Sequence, residues 1–461
     1  MTTVPRLPMT LMPAISTPRA TQTPLPIVKQ ALDSFKPAAT QRQLIAAATP
    51  QLRPPVQRFA ESPPTQTTAP EAADKTDTNM STPDTDTRVW FTLSNTTRDS
   101  RTLIEEMGGA IEYVAGDYVE GVATQETLKR MLDAGMMVQY ELLSSIKYKS
   151  FPEKDAVYHD YAETNQLLND LVKERPDLVT LITIGQTVEG KKIYGLRFKQ
   201  GAAVKPGVVF VGSHHAREHL STEIPLLLAQ YLVKNADKPE IARLLSERDI
   251  TIIPMLNADG AEYDIEGAKY HTWRKNRSQN KDGSKGVDLN RNYGYKWGGK
   301  GSSGDPGSET YRGTSAFSEP EAKAFKEFVE ANPNIKIMLT YHTFSELILY
   351  PWGHTSSPIE NAKDHKIFRA MATKMAQWTG YTPQQSSDLY ITTGDTTDWA
   401  YGALGIYAFT FELSPKTGWA GGFYPGDIIG PTFEKNIQSA LFLIDAADNP
   451  AKVVDPGPSG V

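Results

Sequence analysis

The stretch GSHHAREHLS, residues 212–221, places three histidines, an arginine and a glutamate within ten positions. Imidazole and carboxylate groups are ligands that zinc prefers in proteins. The order of the residues fits two zinc patterns. In H-x-x-E, His215 and Glu218 both bind the metal; in H-x-x-E-H, His215 and His219 bind it and Glu218 is the base. This stretch alone does not decide between the two patterns.

Two further residues have the chemistry that a zinc hydrolase needs. A catalytic zinc site takes three protein ligands and keeps one position open. His342 ends the apolar run IKIMLTYHT and is a candidate third ligand, although a lone histidine at a strand end is more often a structural residue. Glu412 lies among apolar residues in FTFEL, where burying a carboxylate is costly unless it is paired or functional. It is a candidate general base, or else an edge-strand glutamate that faces solvent.

Two loops carry residues that could bind an anion. WRKNRS (273–278) and GVDLNRNYGY (286–295) contain arginines beside asparagines, and a guanidinium binds a carboxylate through two parallel hydrogen bonds. DLYITTGDTTDW (388–399) is predicted to be a flexible loop in which Tyr390 could be a mobile donor. Taken singly, each loop also fits an ordinary solvated surface.

The elements that must position these residues follow from hydrophobic periodicity. Between about Tyr158 and Asp448, apolar strand-like runs alternate with amphipathic helical runs. This alternation predicts a mixed, largely buried sheet with helices on both faces. Active sites on such sheets form in loops at the carboxyl ends of strands. The histidine cluster follows VVFV, and the other two candidates end IMLTYH and FTFEL, as that rule requires.

Composition narrows the class of protein. The chain has 461 residues, a formal net charge of −6 and no cysteine, so a metal site must use His, Asp or Glu. It has no basic stripe for nucleic acid and no apolar run of membrane-spanning length. We therefore expect a soluble protein that binds neither nucleic acid nor membrane.

The first third of the chain divides into two parts. Residues 1–87 are rich in proline and threonine and are predicted to be a disordered leader, without a clear signal peptide. Residues 88–150 show the order strand, helix, two strands, helix, strand, which predicts a small α/β domain. Its last part is a connector whose lysines could be cut by a trypsin-like protease. Residues 151–450 would then form the main domain and 451–461 a tail.

Together these residues resemble the zinc metallocarboxypeptidases of the pancreatic carboxypeptidase A/B type, peptidase family M14, over about residues 158–448. His342 lies 127 residues after His215 (342 − 215), and the motifs SETYRG, SEPE and YPWG also match. The resemblance selects the first metal pattern, with His215, Glu218 and His342 as ligands. His214 and His219 then take supporting positions.

The resemblance implies an α/β fold with a mixed eight-stranded sheet flanked by helices. It implies one Zn²⁺ per chain and hydrolysis of the C-terminal peptide bond of peptides and proteins, with Glu412 as the base and Arg277 stabilising the oxyanion. The small α/β domain would be an activation prosegment. Whether loops also bind structural Ca²⁺ is left open.

Substrate recognition is also implied by the resemblance. Asn290 and Arg291, with Tyr390 closing over them, would bind the free C-terminal carboxylate of the substrate, and Arg217 would help to dock residues further upstream. This receptor would make the enzyme an exopeptidase.

The side-chain pocket resembles that of the bacterial carboxypeptidase T branch. Thr397 stands where basic-specific members have an acid and aliphatic specialists have isoleucine, while Asp395 could pair with Lys or Arg. The side chains of Leu349, Thr392 and Thr410 leave an apolar wall. We therefore expect broad specificity for apolar and basic C-terminal residues.

Two expectations, the oligomeric state and the location, are less specific. We expect a monomer that is secreted or periplasmic, as the family mostly is. Two alternatives stay open: a peptidase of the same scaffold that acts on cell-wall peptides, and a non-catalytic module that binds peptide C-termini. Intact ligands and an intact Glu412 weigh against the second alternative.

Overall fold

The structure is a computed structural model that describes residues 87–143, 157–268, 270–417, 423 and 428–455. Residues 1–86 of the expected leader, most of the connector and residues 456–461 of the tail lie outside this part of the chain. No helix within the described residues is long and apolar enough to cross a membrane.

The small domain has the predicted order of elements. Its strands form an antiparallel sheet in the order β2-β3-β1-β4. The elements are β1 (Val89–Leu93), α1 (Arg98–Met107), β2 (Ala110–Ala115), β3 (Tyr118–Ala123), α2 (Gln125–Asp133) and β4 (Gln139–Leu142). Thr97 and Ser100 form a capping box at the start of α1, and Gly108 ends the helix with a φ of 101°, a conformation that favours glycine. Phe91, Ile104 and Met131 are among the side chains of the core between the sheet and the helices.

The main domain is a mixed sheet of eight strands. The strands are β5 (Val179–Gln186), β6 (Lys192–Phe198), β7 (Gly207–Val211), β8 (Asp249–Ile253), β9 (Ile335–Thr343), β10 (Leu347–Tyr350), β11 (Thr382–Gln385) and β12 (Tyr407–Leu413). Their order is β11-β10-β12-β9-β7-β8-β6-β5. The four central strands β12, β9, β7 and β8 run parallel, and β7 and β8 are buried along their whole length. The predicted fold class is confirmed.

Eight helices of the main domain lie within the described residues. They are α3 (Tyr161–Glu174), α4 (Leu220–Lys234), α5 (Pro239–Glu247), α6 (Ala258–Asp264), α7 (Pro320–Glu330), α8 (Ala362–Thr379), α9 (Thr396–Leu404) and α10 (Ile429–Ala446). The short helices α5, α6 and α9 and the strand β11 were not predicted. The loop predicted at 388–399 in fact ends at Asp395, which is the N-cap residue of α9. The threonines at the start of this helix gave no helical pattern of apolar residues in the sequence, so the helix was not predicted.

The ends of three parallel strands bring the candidate residues together. β7 pairs with β9, and β9 pairs with β12, so that Glu412 lies opposite His342 in the register. His215 and Glu218 follow the end of β7 in a turn, and α4 begins only at Leu220. His215 and Glu218, which are three residues apart, therefore lie in the turn before α4 and not in the first turn of the helix.

Candidate active site

His215, Glu218 and His342 form a buried group that could hold a metal ion. One ligand atom from each residue lies within 4.8 Å of the other two. His215 Nδ1 lies 2.6 Å from Glu218 Oε1, and His342 Nδ1 lies 3.0 Å from Glu218 Oε2. The Nδ1 atoms of the two histidines are only 3.1 Å apart. Two lone-pair nitrogens and a carboxylate thus face one small space.

The partners of the other ring nitrogens show why this space suits a cation. His215 Nε2 lies 3.2 Å from Asp288 Oδ1, and His342 Nε2 lies 3.2 Å from Thr340 Oγ1. Each imidazole can place its proton on Nε2 toward an oxygen and direct an unprotonated Nδ1 inward. Such outer partners orient metal-binding histidines in many proteins. The donor set of two imidazoles and one carboxylate fits zinc.

The two remaining histidines of the cluster contact other side chains of the protein. His214 Nε2 lies 2.9 Å from the Tyr293 hydroxyl, and His214 Nδ1 lies 3.1 Å from Thr340 Oγ1. His219 Nε2 lies 2.9 Å from Asp264 Oδ2. Neither histidine is part of the group that could hold a metal, as the first pattern requires.

Glu412 lies on an interior strand beside the triad. β12 has β10 on one side and β9 on the other, so the edge-strand alternative does not apply. Burial, together with the carboxylates of Glu218 and Glu112, raises the pKa of Glu412 well above its ordinary value. A carboxyl group in this setting takes up a proton readily, which is what a general base must do.

Arg274 is an arginine that reaches the surroundings of the triad. Arg274 Nε donates to Asp288 Oδ2 over 3.0 Å, and Asp288 in turn contacts His215. Burial acts to lower the pKa of Arg274, but Asp288 and Glu112 raise it well above its ordinary value. Arg277 lies with its guanidinium carbon 3.5 Å from the ring centroid of Tyr263 and also stacks over Trp273. Arg277 thus lies against two aromatic rings, and its predicted role in stabilising the oxyanion stays a prediction.

Asn290, Arg291 and Tyr390 lie together where the small domain meets the main domain. Asn290 Oδ1 accepts hydrogen bonds from the backbone N–H and the hydroxyl of Thr396. Arg291 is buried and donates from Nη2 to Glu105 Oε2 over 2.7 Å. Tyr390 packs against the apolar core of the small domain. A carboxylate is thus already bound at the predicted carboxylate receptor, and it comes from α1.

Arg217 is fully buried and also faces the small domain. It forms ion pairs with Glu112 of β2 and with Glu309, the second over 2.9 Å. Its guanidinium lies over the ring of Phe423, 4.9 Å from the centroid. Glu112 also lies 3.4 Å from Arg274, so one carboxylate bridges two arginines.

Asp395 and Thr397 lie at the start of α9. Asp395 Oδ1 accepts from the backbone N–H groups of Thr397 and Asp398 and so caps the helix. The hydroxyls of Thr397 and Thr410 are 2.7 Å apart and satisfy each other. Both residues are buried on the side of the sheet where β10 and β12 meet.

Four residues of the site were missed or misjudged from the sequence. Asp288 and Arg274 were visible in their motifs, but a loop sequence does not show that Asp288 contacts both Arg274 and His215. Glu105 and Glu112 carried a readable signal: each is a glutamate on the otherwise buried face of its element. Such a position is costly for a charge unless a partner is present.

Known proteins resemble this chain in sequence and in fold. The profile of the zinc carboxypeptidase family, Peptidase_M14, matches residues 164–439. A zinc carboxypeptidase of Saccharothrix mutabilis subsp. capreolus is 34% identical over 390 residues, covering 79% of this chain and 89% of that protein. Carboxypeptidase A1 of Mus musculus is 34% identical over 297 residues, covering 63% of this chain and 70% of that protein.

Two solved structures give the same result for the fold. Thrombin activatable fibrinolysis inhibitor has a TM-score of 0.65 at 25% identity and covers 79% of this chain and 100% of its own. Carboxypeptidase A of Helicoverpa armigera has a TM-score of 0.66 at 24% identity and covers 80% of this chain and 98% of its own.

The fold and the site define a metal-dependent hydrolase on a mixed eight-stranded α/β sheet. The chain belongs to the zinc carboxypeptidase family, and the predicted enzyme class, a metallocarboxypeptidase, is confirmed. Zinc is the metal that this family implies, and the triad of His215, Glu218 and His342 fits it.

Proposed function

We propose that the chain removes single residues from free C-termini of peptides and proteins, accepts both apolar and basic C-terminal residues, and is made as a zymogen. The observation that carries the proposal is the placement of Arg291. It holds the carboxylate of Glu105, and its backbone N–H donates to the carbonyl group of Asp288, whose side chain contacts His215. In the mature enzyme the C-terminal carboxylate of a substrate would take the place of Glu105. The peptide bond next to that carboxylate would then lie beside the triad.

The roles of the residues follow from their surroundings. His215, Glu218 and His342 would hold zinc, which supplies Lewis acidity for the scissile carbonyl and for water. Glu412 would take a proton from the attacking water and later deliver it to the leaving amine. Arg274 would stabilise the negative charge that develops on the carbonyl oxygen, because it is a fixed cation beside the triad. Arg277, which the family resemblance implies for this role, stays a candidate for it as well.

The groups that bind the substrate lie around this centre. Asn290 and Arg291 would orient the C-terminal carboxylate, with Tyr390 closing over it. Arg217 would contact the peptide further upstream. The C-terminal side chain would enter a pocket that is lined by Asp395, Thr397, Leu349, Thr392 and Thr410.

The contacts of the small domain support the zymogen part of the proposal. Residues 88–150 would be the prosegment and 151–450 the catalytic domain. Arg101 donates to the backbone carbonyl groups of Leu389 and Asp388, and the Ile391 N–H donates to the Thr102 hydroxyl. These contacts immobilise the loop that carries Tyr390. The Saccharothrix relative aligns with 79% of this chain, whereas residues 151–450 are about two thirds of it, so the similarity extends beyond the catalytic domain.

One experiment tests the activity and the zymogen together. The full chain is assayed before and after trypsin cleavage on blocked dipeptides that end in Phe, Leu, Arg or Glu, each with a free or an amidated C-terminus. We expect release only after cleavage, only from free C-termini, and only without a zinc chelator. A variant with Lys147, Lys149 and Lys154 replaced by Gln should resist cleavage in the connector.

Other outcomes would contradict specific parts. Equal activity before and after cleavage would overturn the zymogen, while hydrolysis of amidated substrates would overturn the carboxylate receptor. Zinc-loaded, cleaved protein that releases nothing would favour cell-wall peptides or a binding module. Export to the periplasm or the exterior, which we also propose from the family resemblance, is checked by fractionating the native host.

A further inference from the structure

The small domain places a basic residue on the main domain as well as acidic ones. Arg88, which directly precedes β1, donates from Nη1 to the Thr272 carbonyl group over 3.0 Å and to Glu309 Oε1 over 3.2 Å. Its Nη2 donates to the carbonyl group of His271. The guanidinium carbon lies 5.5 Å from the ring centroid of Trp273. All four of these groups belong to the main domain.

The four groups around Arg88 have the chemistry of a receptor for an organic cation. A guanidinium presents several N–H donors in one plane, and here one carboxylate oxygen and two carbonyl oxygens accept from it. The face of an aromatic ring attracts the same cation electrostatically. We call Glu309, Trp273 and the carbonyl groups of His271 and Thr272 the cation site.

The main domain itself holds the backbone of the cation site in place. Asp264, at the end of α6, accepts from the His271 N–H with its backbone carbonyl over 2.7 Å and from the Trp273 N–H with its carboxylate over 2.5 Å. Thr272, between them, has a φ of 50°, a left-handed conformation that is rare and strained for a β-branched residue. Such strain persists only where the surrounding structure imposes it. The two carbonyl groups should therefore keep their direction when Arg88 leaves.

The cation site lies beside Arg217. Arg217 Nη1 donates to Glu309 Oε2 over 2.9 Å and to the Thr272 carbonyl group over 3.1 Å. Glu309 thus binds Arg217 with one carboxylate oxygen and Arg88 with the other. Because Arg217 would contact the peptide upstream of the scissile bond, a residue still further from the C-terminus would lie next to the cation site.

A lysine of the main domain lies close to the cation site but is directed elsewhere. Lys275 Nζ is 5.9 Å from the ring centroid of Trp273 and donates to the carbonyl group of Pro306 over 2.9 Å. Departure of Arg88 would therefore take from Glu309 Oε1 the cation that it now binds. A buried carboxylate that loses such a partner is destabilised, so a cation from the substrate would be bound favourably in its place.

We propose that the cation site of the mature enzyme binds a basic side chain of the substrate upstream of the scissile bond. Arg88 fills this site in the uncut chain, as Glu105 fills the receptor for the C-terminal carboxylate. After cleavage, an Arg or Lys side chain of the peptide takes the place of Arg88 and pairs with Glu309. This inference rests on the proposed carboxypeptidase function and adds to it a preference for a basic residue at one upstream position.

Matched pairs of peptides test the preference and locate the position. Each peptide ends in Phe with a free C-terminus and carries either Arg or citrulline, its neutral isostere, at the second, third, fourth or fifth position from that end. The trypsin-cleaved chain is assayed after trypsin has been removed. We expect kcat/KM to be about tenfold higher for Arg than for citrulline at one position, mainly through KM, because citrulline loses the charge-assisted hydrogen bond. Equal values at every position, or the same preference at all four, would overturn the proposal.

Substitution of Glu309 tests whether its carboxylate makes the difference. Glu309→Gln should abolish the preference for Arg over citrulline, and Glu309→Asp should retain part of it. If Glu309 acted only through Arg217, Glu309→Gln would lower kcat/KM equally for both peptides of a pair, and an unchanged ratio would contradict the proposal. Asp305→Asn is the matched control, because Asp305 also pairs with an arginine of the small domain, Arg130, over 2.5 Å. This control should retain the preference.

Binding is measured separately from hydrolysis. In the cleaved, zinc-loaded Glu412→Gln chain, calorimetry with the same peptide pairs should give about tenfold tighter binding for Arg at the one position. Hydrolysis without a preference for Arg would overturn the cation site and leave the carboxypeptidase function standing. Tighter binding of Arg without hydrolysis by the unsubstituted chain would overturn the activity and leave the cation site standing. If Glu309→Gln fails to fold, Glu309→Asp and the position dependence in the unsubstituted protein decide.

Discussion

The two ends of the active site differ in their contacts with the small domain. We call them the arginine end and the acid end. At the arginine end, Arg217, Arg274 and Arg291 each face a glutamate of the small domain. At the acid end, Asp395 and Thr392 each keep a buried polar atom without a partner in the described part of the chain. The small domain thus supplies the carboxylates that a substrate would bring and leaves the side-chain pocket unpaired. Inhibition at one end and selection at the other would rest on different residues.

The largest expected effect comes from Glu412, which would act on every substrate whatever its C-terminal side chain. Glu412→Gln keeps the shape of the side chain but removes the group that moves the proton. We expect kcat of the cleaved enzyme to fall by about 10³–10⁴-fold, and by the same factor for Phe and Arg substrates. Bound zinc, measured by elemental analysis, should not change. Activity within tenfold of the unsubstituted enzyme would contradict the role of Glu412.

The next effect is specific to the arginine end. Arg291→Lys keeps the charge and loses the paired hydrogen bonds of the guanidinium, so kcat/KM of the cleaved enzyme should fall by about 10²-fold. The loss should be equal for Phe and Arg substrates, because every substrate carries the same carboxylate. Steady-state kinetics on both substrates check this. A loss confined to one of the two substrates would show that Arg291 also affects recognition of the C-terminal side chain.

The third prediction concerns the glutamates that occupy the arginine end. In the double variant Glu105→Gln, Glu112→Gln, three buried arginines each lose the anionic partner that the small domain supplies, and removing one partner of a buried ion pair costs about 3–5 kcal/mol. The small domain should therefore dock less tightly, and the uncut chain should gain at least about tenfold in activity. Activity after cleavage should match that of the unsubstituted enzyme.

Neighbouring glutamates provide the control for this prediction. Glu106 lies next to Glu105 on α1, and Glu120 lies on β3 with the Tyr118 hydroxyl as its partner. The double variant Glu106→Gln, Glu120→Gln removes the same charge from the small domain without touching the three arginines. An equal gain in activity in this control would attribute the effect to net charge and contradict the specific contacts.

The positions of the candidate site residues and the fold could be predicted from the sequence for the same physical reason. Apolar periodicity located β7, β9 and β12, and the rule that sites form at the carboxyl ends of parallel strands then placed His215, His342 and Glu412 near one another. The structure brings these residues together. Strands buried on both faces are strongly patterned, so their positions could be predicted from the order of apolar residues. The choice of His215, Glu218 and His342 as the ligand set came from the resemblance to the zinc metallocarboxypeptidases.

The parts that could not be predicted depend on contacts between distant segments. The surroundings of Arg277 are set by the aromatic rings of Tyr263 and Trp273, and those of Arg274 by Asp288 and Glu112. The short helix α9 is stabilised by tertiary contacts of Trp399 and Ala400 in the core and not by its own propensity. Neither fact is encoded within the local stretch that carries the residue.

The smallest expected effect tests whether a buried carboxylate away from both ends acts only on stability. Glu223 lies 2.8 Å from His159 Nδ1, and this carboxylate raises the pKa of His159 to about 9. A raised histidine pKa contributes stability that is fully present below the unfolded value of about 6.5 and is lost as the pH rises through about 9. His159→Gln should therefore lower the free energy of unfolding by about 1–2 kcal/mol at pH 6, after allowance for partial solvent screening, and by almost nothing at pH 10. Urea unfolding of the cleaved enzyme at both pH values measures this difference, with His365→Gln as the control.

Because His159 contacts neither the arginine end nor the acid end, kcat/KM for Phe and Arg substrates should not change. A loss of activity without a loss of stability would mean that the pair of His159 and Glu223 acts on the site itself, and the separation between inhibition, selection and stability would fail.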